Sequence, residues 1–307
     1  MRQPYFIFEM DVMEKREIKK YMVLCVAGQS NAVGYDESEI PKDYMKTYGS
    51  KRIAQLGLYD EDNLQIIPLG PCAQNFQDMR PFGHPNNPGI GTRGIHLPLA
   101  KVLLQHIPED YDILVIPCAY GGTGFTIGEW GAYDEKSLRP EPGIWRWGIE
   151  SCYYKAICAR IGYALDLNQE NKFLGMVWCQ GEWDSENAHD QQIGFEKMAE
   201  DFFGKMAEHY PDRVYRGDWN KLIWYNMETV SFWHSFHECP LIWEAYEKWS
   251  PETYVKIPRS ADSNEVNGTG ITAKQRSAHF GNGSFEKIVA PAVAEVLSKR
   301  LANRKEQ

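Results

Sequence analysis

Residues 25–34 read CVAGQSNAVG, and how this stretch is read decides the fold. The preceding run, YMVLCVA at 21–27, is apolar throughout and too short for a helix. It reads as a strand buried on both faces. The chain then turns at Gly28-Gln29-Ser30-Asn31 and continues in the small residues Ala32-Val33-Gly34. Two explanations account for a serine on this turn. Its hydroxyl can cap the helix that follows. Alternatively, the turn is a strand-to-helix elbow that lifts the serine oxygen clear of the sheet edge, where it can act as a nucleophile.

Two more buried runs end in the same way. DILVIPCA at 112–119 breaks into YGGTG at 120–124, and FLGMVWC at 173–179 ends in QGEWD at 180–184. Helical spacing separates them. Leu99, Val102, Leu103 and His106 repeat within 96–107, and Tyr153, Ile157, Ile161 and Leu165 share a face within 148–167. Further helices are predicted at 192–209, 240–249 and 284–301, the last with a kink at Pro291. Shorter strands are predicted at 53–58, 64–68, 221–225 and 254–257. The segment 71–94, rich in Gly, Pro and Asn, reads as a long irregular stretch.

Strands that alternate with helices predict an α/β fold with a central, mostly parallel sheet covered on both faces. The simplest organisation is one domain over 21–307 behind an N-terminal extension, 1–20. In such sheets ligands sit outside the carboxyl ends of the strands, so the three polar turns should converge on one crevice.

Composition narrows the function. The net charge is −9 and the pI about 5.5, with no basic patch to serve a nucleic acid. No run approaches the roughly 20 apolar residues a membrane helix needs. The start of the chain lacks a signal-peptide pattern, because Tyr5–Phe8 is short and acidic residues follow it, so a cytoplasmic protein is expected. The seven cysteines are scattered, with no CxxC pair, and read as reduced thiols. Trp219, Trp224, Tyr225, Phe232, Trp233, Phe236 and Trp243 form a dense aromatic cluster. It serves either as a surface for stacking a sugar or as a loop packed by its own rings.

GQSNAVG at 28–34, GGT at 121–123 and WCQGEWD at 178–184 resemble blocks I, II and III of the SGNH hydrolases. The resemblance is to the sialate O-acetylesterase branch, where GQSN replaces GDS and block III carries QGExD. RSAHF at 276–280 is similar to the last block, which holds the catalytic histidine. Supported by QDM at 77–79 and RWG at 146–148, the likeness narrows to bacterial N-acetyl-9-O-acetylneuraminate esterases. It spans about residues 20 to 300. It implies an SGNH-hydrolase-like, flavodoxin-like three-layer sandwich and removal of O-acetyl groups from sialic acid without a cofactor or metal. The partner it implies is a small acetylated sugar, and it leaves the oligomeric state open.

The chemistry needs particular groups. A serine hydroxyl requires a base within hydrogen-bond reach, and His279, between a polar loop and a helix, is the best candidate. The oxyanion requires donors fixed in advance. The candidates are the Ser30 N–H, the Gly122 N–H and the Gln180 amide, which the resemblance sets in place of the block III asparagine. Glu182 is expected either to orient Gln180 or to anchor the elbow through Asn31. The family's DxxH departs here, since Arg276 occupies the aspartate's position and a guanidinium cannot accept the histidine's N–H. Asp262 or Glu265 could serve instead, but a Ser–His dyad with a carbonyl partner is favoured. A sugar carboxylate calls for a guanidinium, for which Arg93, Arg276 and Arg80 compete, and His84 is placed to line the cleft. His234 and His237 lack further ligands for a metal. An esterase of another sugar such as acetylxylan, a lipase-like acylhydrolase and a non-catalytic carbohydrate-binding protein are the rival readings.

Overall fold

The computed structural model describes residues 19–126, 146–261 and 278–303. Among these, seven strands form one sheet: β1 (Lys20–Gly28), β2 (Ile53–Leu56), β3 (Ile66–Pro68), β4 (Tyr111–Ala119), β5 (Lys172–Cys179), β6 (Trp224–Met227) and β7 (Tyr254–Val255). Their order is β3-β2-β4-β1-β5-β6-β7. All neighbours are parallel except β2 and β3. β1 takes the centre because every residue after Lys20 is buried, so both its faces need cover.

The helices are α1 (Ser30–Val33), α2 (Tyr44–Tyr48), α3 (His96–Leu103), α4 (Cys152–Asp166), α5 (Ala188–His209), α6 (Cys239–Trp249) and α7 (Ala290–Asn303). α3 packs on α7, α4 on α5, and α5 on α6, and the sheet lies between the two groups. This is the α/β sandwich the strand pattern predicts.

The differences from expectation are local. The fourth expected strand shifts to β6, because the Asn220 side chain accepts from Leu222 N at 2.8 Å and draws Lys221–Ile223 into a tight turn. α4 starts at Cys152 because Ser151 is its cap, accepting from Tyr154 N at 3.1 Å, a contact that stabilises a helix by about 1 kcal/mol. Pro291 has no N–H to give the preceding turn, and Phe285–Val289 adopts a wide π turn before α7 begins. The aromatic cluster is mostly core. Trp219, Trp224, Tyr225, Trp233 and Trp243 are buried, whereas Phe232 and Phe236 are half-buried.

The feature that builds the site is register. Gly28 pairs with Ala119 on one side and with Cys179 on the other, so the three central strands end at one level. Gln29 N–H donates to Cys179 O at 2.8 Å and Tyr120 N–H to Gly28 O at 3.0 Å. Gly28 has φ +126°, and a Cβ there would lie 2.0 Å from the Cys179 carbonyl oxygen. Only glycine lets the strands close this tightly where the polar turns begin.

Candidate active site

The elbow removes one of the two readings of Ser30, that of a helix cap. The cap of α1 is Gln29, whose side chain makes no capping bond, and Ser30 is the first helical residue. Its hydroxyl is therefore not the cap, and its N–H has no carbonyl to meet inside the helix. The Gln29 side chain reaches sideways instead, its Oε1 accepting from Trp183 N at 3.2 Å. This bond ties the first turn to the third.

The third turn carries Gln180, which is buried. Its Oε1 accepts from Gln191 Nε2 at 3.1 Å and from the Tyr246 hydroxyl at 3.3 Å. Tyr246 Oη in turn accepts from Trp178 Nε1 at 3.1 Å and from Gln191 Nε2 at 2.6 Å. This buried network fixes which end of the Gln180 amide faces up. Gln180 Nε2 donates to Asp184 Oδ2 at 2.6 Å and makes a long contact of 3.5 Å with Thr123 O.

Asp184 is the organiser that the sequence reading passed over, although it closes the QGEWD motif. It is fully buried. Besides Gln180, its carboxylate accepts from Phe125 N at 3.0 Å, Thr126 N at 2.8 Å and the Thr126 hydroxyl at 2.7 Å. One side chain thus holds both Gln180 and the loop that follows Gly122. Gly122 itself has φ +66°, a left-handed conformation open to glycine. Trp147 supports the same loop, donating its indole N–H to the Thr123 hydroxyl at 2.9 Å and its backbone N–H to Gly124 O at 2.8 Å.

His279 is buried and held from the elbow. Asn31 Nδ2 donates to Ala278 O at 3.1 Å, and Asn31 Oδ1 accepts from Phe280 N at 3.1 Å. One amide therefore grips the backbone on both sides of the histidine. Asn31 Nδ2 also meets Glu182 Oε1 at 3.0 Å and the Thr229 hydroxyl. Of the two roles expected for Glu182, the geometry shows the second, anchoring the elbow through Asn31. Trp233 Nε1 adds a bond to Ala278 O at 3.0 Å. Three and four residues past His279, Asn282 N and Gly283 N donate to the buried Asp36 carboxylate at 3.2 and 2.9 Å. Block I and Asp36 just beyond it thus each grip the histidine segment.

Burial pushes the carboxyls of Glu182 and Asp184 upward, against the hydrogen bonds they accept. His96 is fully buried, and burial drives it down to about 3, so it stays neutral.

The arginines separate. Arg93 is buried between Asp36 at 2.9 Å and Glu286 at 3.2 Å, so its guanidinium serves carboxylates of the chain itself. Arg80 pairs with Asp78 at 2.8 Å and lies over the Tyr59 ring. His84 is half-buried and its Nδ1 accepts from Asn86 N at 3.1 Å. Arg276, Asp262 and Glu265 lie outside the described residues, as does all of the N-terminal extension before Lys19. Arg146, within the RWG motif, is half-buried and pairs with Gly124 through its backbone, and among the described residues it makes no ion pair. Its flanking motif was the available signal. Also among the described residues, no three His, Cys, Asp or Glu side chains group to hold a metal ion, and no helix is long and apolar enough to cross a membrane.

Three comparisons with known proteins bear on the family and the fold. Residues 20–210 match the model of a family described as carbohydrate esterase, sialic acid-specific acetylesterase. The chain is similar to a protein of Escherichia coli (strain K12) described as a probable 9-O-acetyl-N-acetylneuraminic acid deacetylase. The two are 34% identical over 231 residues, which cover 69% of this chain and 68% of that one. Its fold is similar to the crystal structure of NanS, with a TM-score of 0.74 and 26% identity, covering 93% of this chain and 99% of that chain. A structure of a protein from Arabidopsis thaliana shares the fold at a TM-score of 0.55 and 14% identity, covering 92% and 98% of the two chains.

Proposed function

The chain belongs to the carbohydrate esterase family of sialic acid-specific acetylesterases, carboxylic ester hydrolases, and from that premise we propose that Ser30 and His279 remove the 9-O-acetyl group of N-acetylneuraminic acid. Ser30 Oγ attacks the acetyl carbonyl carbon while His279 takes the hydroxyl proton. The resulting oxyanion is met by the Ser30 N–H, the Gly122 N–H and the Gln180 amide. Collapse breaks the bond to the sugar oxygen, which leaves with the proton held by His279. Water, deprotonated by His279, then attacks the acetyl-serine, and acetate departs as Ser30 regains its proton. The observation that carries this reading is the Asn31 grip on both flanks of His279, which ties the base to the residue next to the nucleophile.

The catalytic pair works as a dyad in this reading, because Arg276 stands where the family's aspartate would be. Arg146 is the arginine we assign to the sugar carboxylate. Arg93 and Arg80 already serve carboxylates of the chain, and Arg146 is paired to the loop two residues beyond Gly122.

The test is acetate release by the purified protein from 9-O-acetylated N-acetylneuraminic acid, acetylated xylo-oligosaccharide and p-nitrophenyl acetate. The expected result is a preference of several powers of ten for the sialic acid. Arg146→Ala is expected to raise KM for that sugar about 10-fold or more and to leave p-nitrophenyl acetate unaffected, by loss of a charge-assisted pair. Equal rates on the xylan substrate would overturn the assignment of the sugar.

A further inference from the structure

We propose that Tyr35 is a positioning residue that couples the orientation of the His279 ring to the glycine turn of the oxyanion hole, an inference that rests on the Ser30–His279 reading above. Tyr35 follows the elbow and is buried. Its ring lies against the His279 imidazole, with centroids 4.6 Å apart and planes tilted by 43°. At its other end the hydroxyl donates to Gln77 Oε1 at 2.8 Å. The same oxygen accepts from Gly121 N at 2.9 Å. Gly121 immediately precedes Gly122, so one side chain touches the base at its face and, through one amide, the turn that carries an oxyanion donor.

The packing at this junction leaves no slack. A Cβ on Gly121 would lie 2.3 Å from Tyr35 Oη and 2.6 Å from Gln77 Oε1. The turn therefore sits flush against the pair. Gln77 is itself anchored, because its N–H donates to Ala119 O at 3.4 Å at the end of β4. Two residues earlier, Asn75 Nδ2 donates to Val33 O at 3.2 Å and Asn75 Oδ1 accepts from Ala119 N at 3.1 Å. This part of the irregular segment 71–94 is a brace between the first and second turns, and Tyr35 carries the brace onto the histidine. The ring limits how the imidazole can rotate as it takes and returns its proton. The Gln77 bond keeps the Gly122 N–H in step with that orientation.

The experiment is steady-state kinetics on 9-O-acetylated N-acetylneuraminic acid across pH. The variants are Tyr35→Phe, Gln77→Ala, their double variant, Tyr35→Leu and, alongside, Ser30→Ala. Tyr35→Phe keeps the ring and loses only the hydroxyl. It is expected to lower kcat by about 3- to 10-fold, the worth of one hydrogen bond, with KM little changed. Gln77→Ala should do the same, and the double variant should be no worse than the worse single, since both break one connection. Tyr35→Leu removes the ring contact as well. It should lower kcat further and displace the acid limb of the pH profile, which Tyr35→Phe leaves in place.

Full kcat in Tyr35→Phe, or losses that multiply in the double variant, would overturn the coupling. An unmoved acid limb in a folded Tyr35→Leu would do the same. Thermal midpoints identify folded variants, and if Tyr35→Leu does not fold, the Tyr35→Phe and Gln77→Ala cycle decides the question alone. An inactive Ser30→Ala with multiplying losses sinks this inference only. An active Ser30→Ala sinks the reading of the site on which it rests.

Discussion

The two halves of the site are held in opposite ways. The Gln180 half stands on side chains rooted in its own neighbourhood. Gln180 and Asp184 share one turn, and Gln191 and Tyr246 rise beneath them from the packed pair α5 and α6. Among the described residues the His279 half is held from a distance, by Trp233 and by the elbow. Ala278, Phe280, Asn282 and Gly283 hang by backbone groups from Asn31 and Asp36, some 246 to 249 residues earlier in the chain. Glu182 and Asp184 show the contrast within a single turn, since Asp184 works for the oxyanion half and Glu182 for the histidine half. The difference teaches that damage to the first half should appear as lost chemistry in a well-folded protein. Damage to the second should appear as lost chemistry and lost local order together.

The severest break removes what both halves serve. Ser30→Ala is expected to lower kcat by about 10⁴- to 10⁶-fold at an unchanged thermal midpoint, measured by acetate release and calorimetry. Next comes the oxyanion half alone. Gln180→Ala should cost about 10²- to 10³-fold in kcat with little change in KM, the signature of a group that acts in the transition state. Asn31→Ala attacks the histidine half. It leaves Phe280 N and a Glu182 oxygen short of a buried partner and Ala278 O with only its bond from Trp233 Nε1 among the described residues, so a stability loss of about 2–4 kcal/mol is expected. Faster amide exchange at 278–283 than in β5 would accompany it, and uniform exchange across both halves would erase the contrast.

The mildest test is a pH series on Glu182→Gln. Burial raises the Glu182 carboxyl above its unfolded value, so the folded chain holds that proton more tightly. The stabilisation this gives is complete below the unfolded carboxyl range and is lost as pH rises through the raised folded pKa. Glutamine does not titrate. The midpoint of the variant relative to the wild type should therefore climb as pH rises above the unfolded carboxyl range, and a flat difference would remove the charge from the account.

The three turns were legible in the sequence because each is a local event: an apolar run, then glycine, then polar residues, over about ten positions. The strand order was legible only as a class, since nothing local says that β4 and β5 flank β1 with their last residues level. The Asn31 grip was out of reach for the same reason. A bond spanning 247 residues leaves no spacing to read. Asp184 stood in plain view within QGEWD, but a carboxylate after a strand reads equally well as a solvated turn residue until its four donors are known. Arg93 was legible only as a cation. An arginine in a polar loop suggests an anion site, and the carboxylates that claim it come from positions 36 and 286.

The Asn31 grip also sets a clock. In the proposed reading the nucleophile belongs to the first tenth of the chain, whereas the base lies in a segment, 278–283, that must dock onto the elbow from far along the chain. Closing so long a loop is the slow, entropically costly kind of step in folding. On refolding, the helical signal should return before acetate release does. During synthesis, a chain that has supplied all of the strands β1 to β7 still lacks residues 278–283, and with them the proposed base.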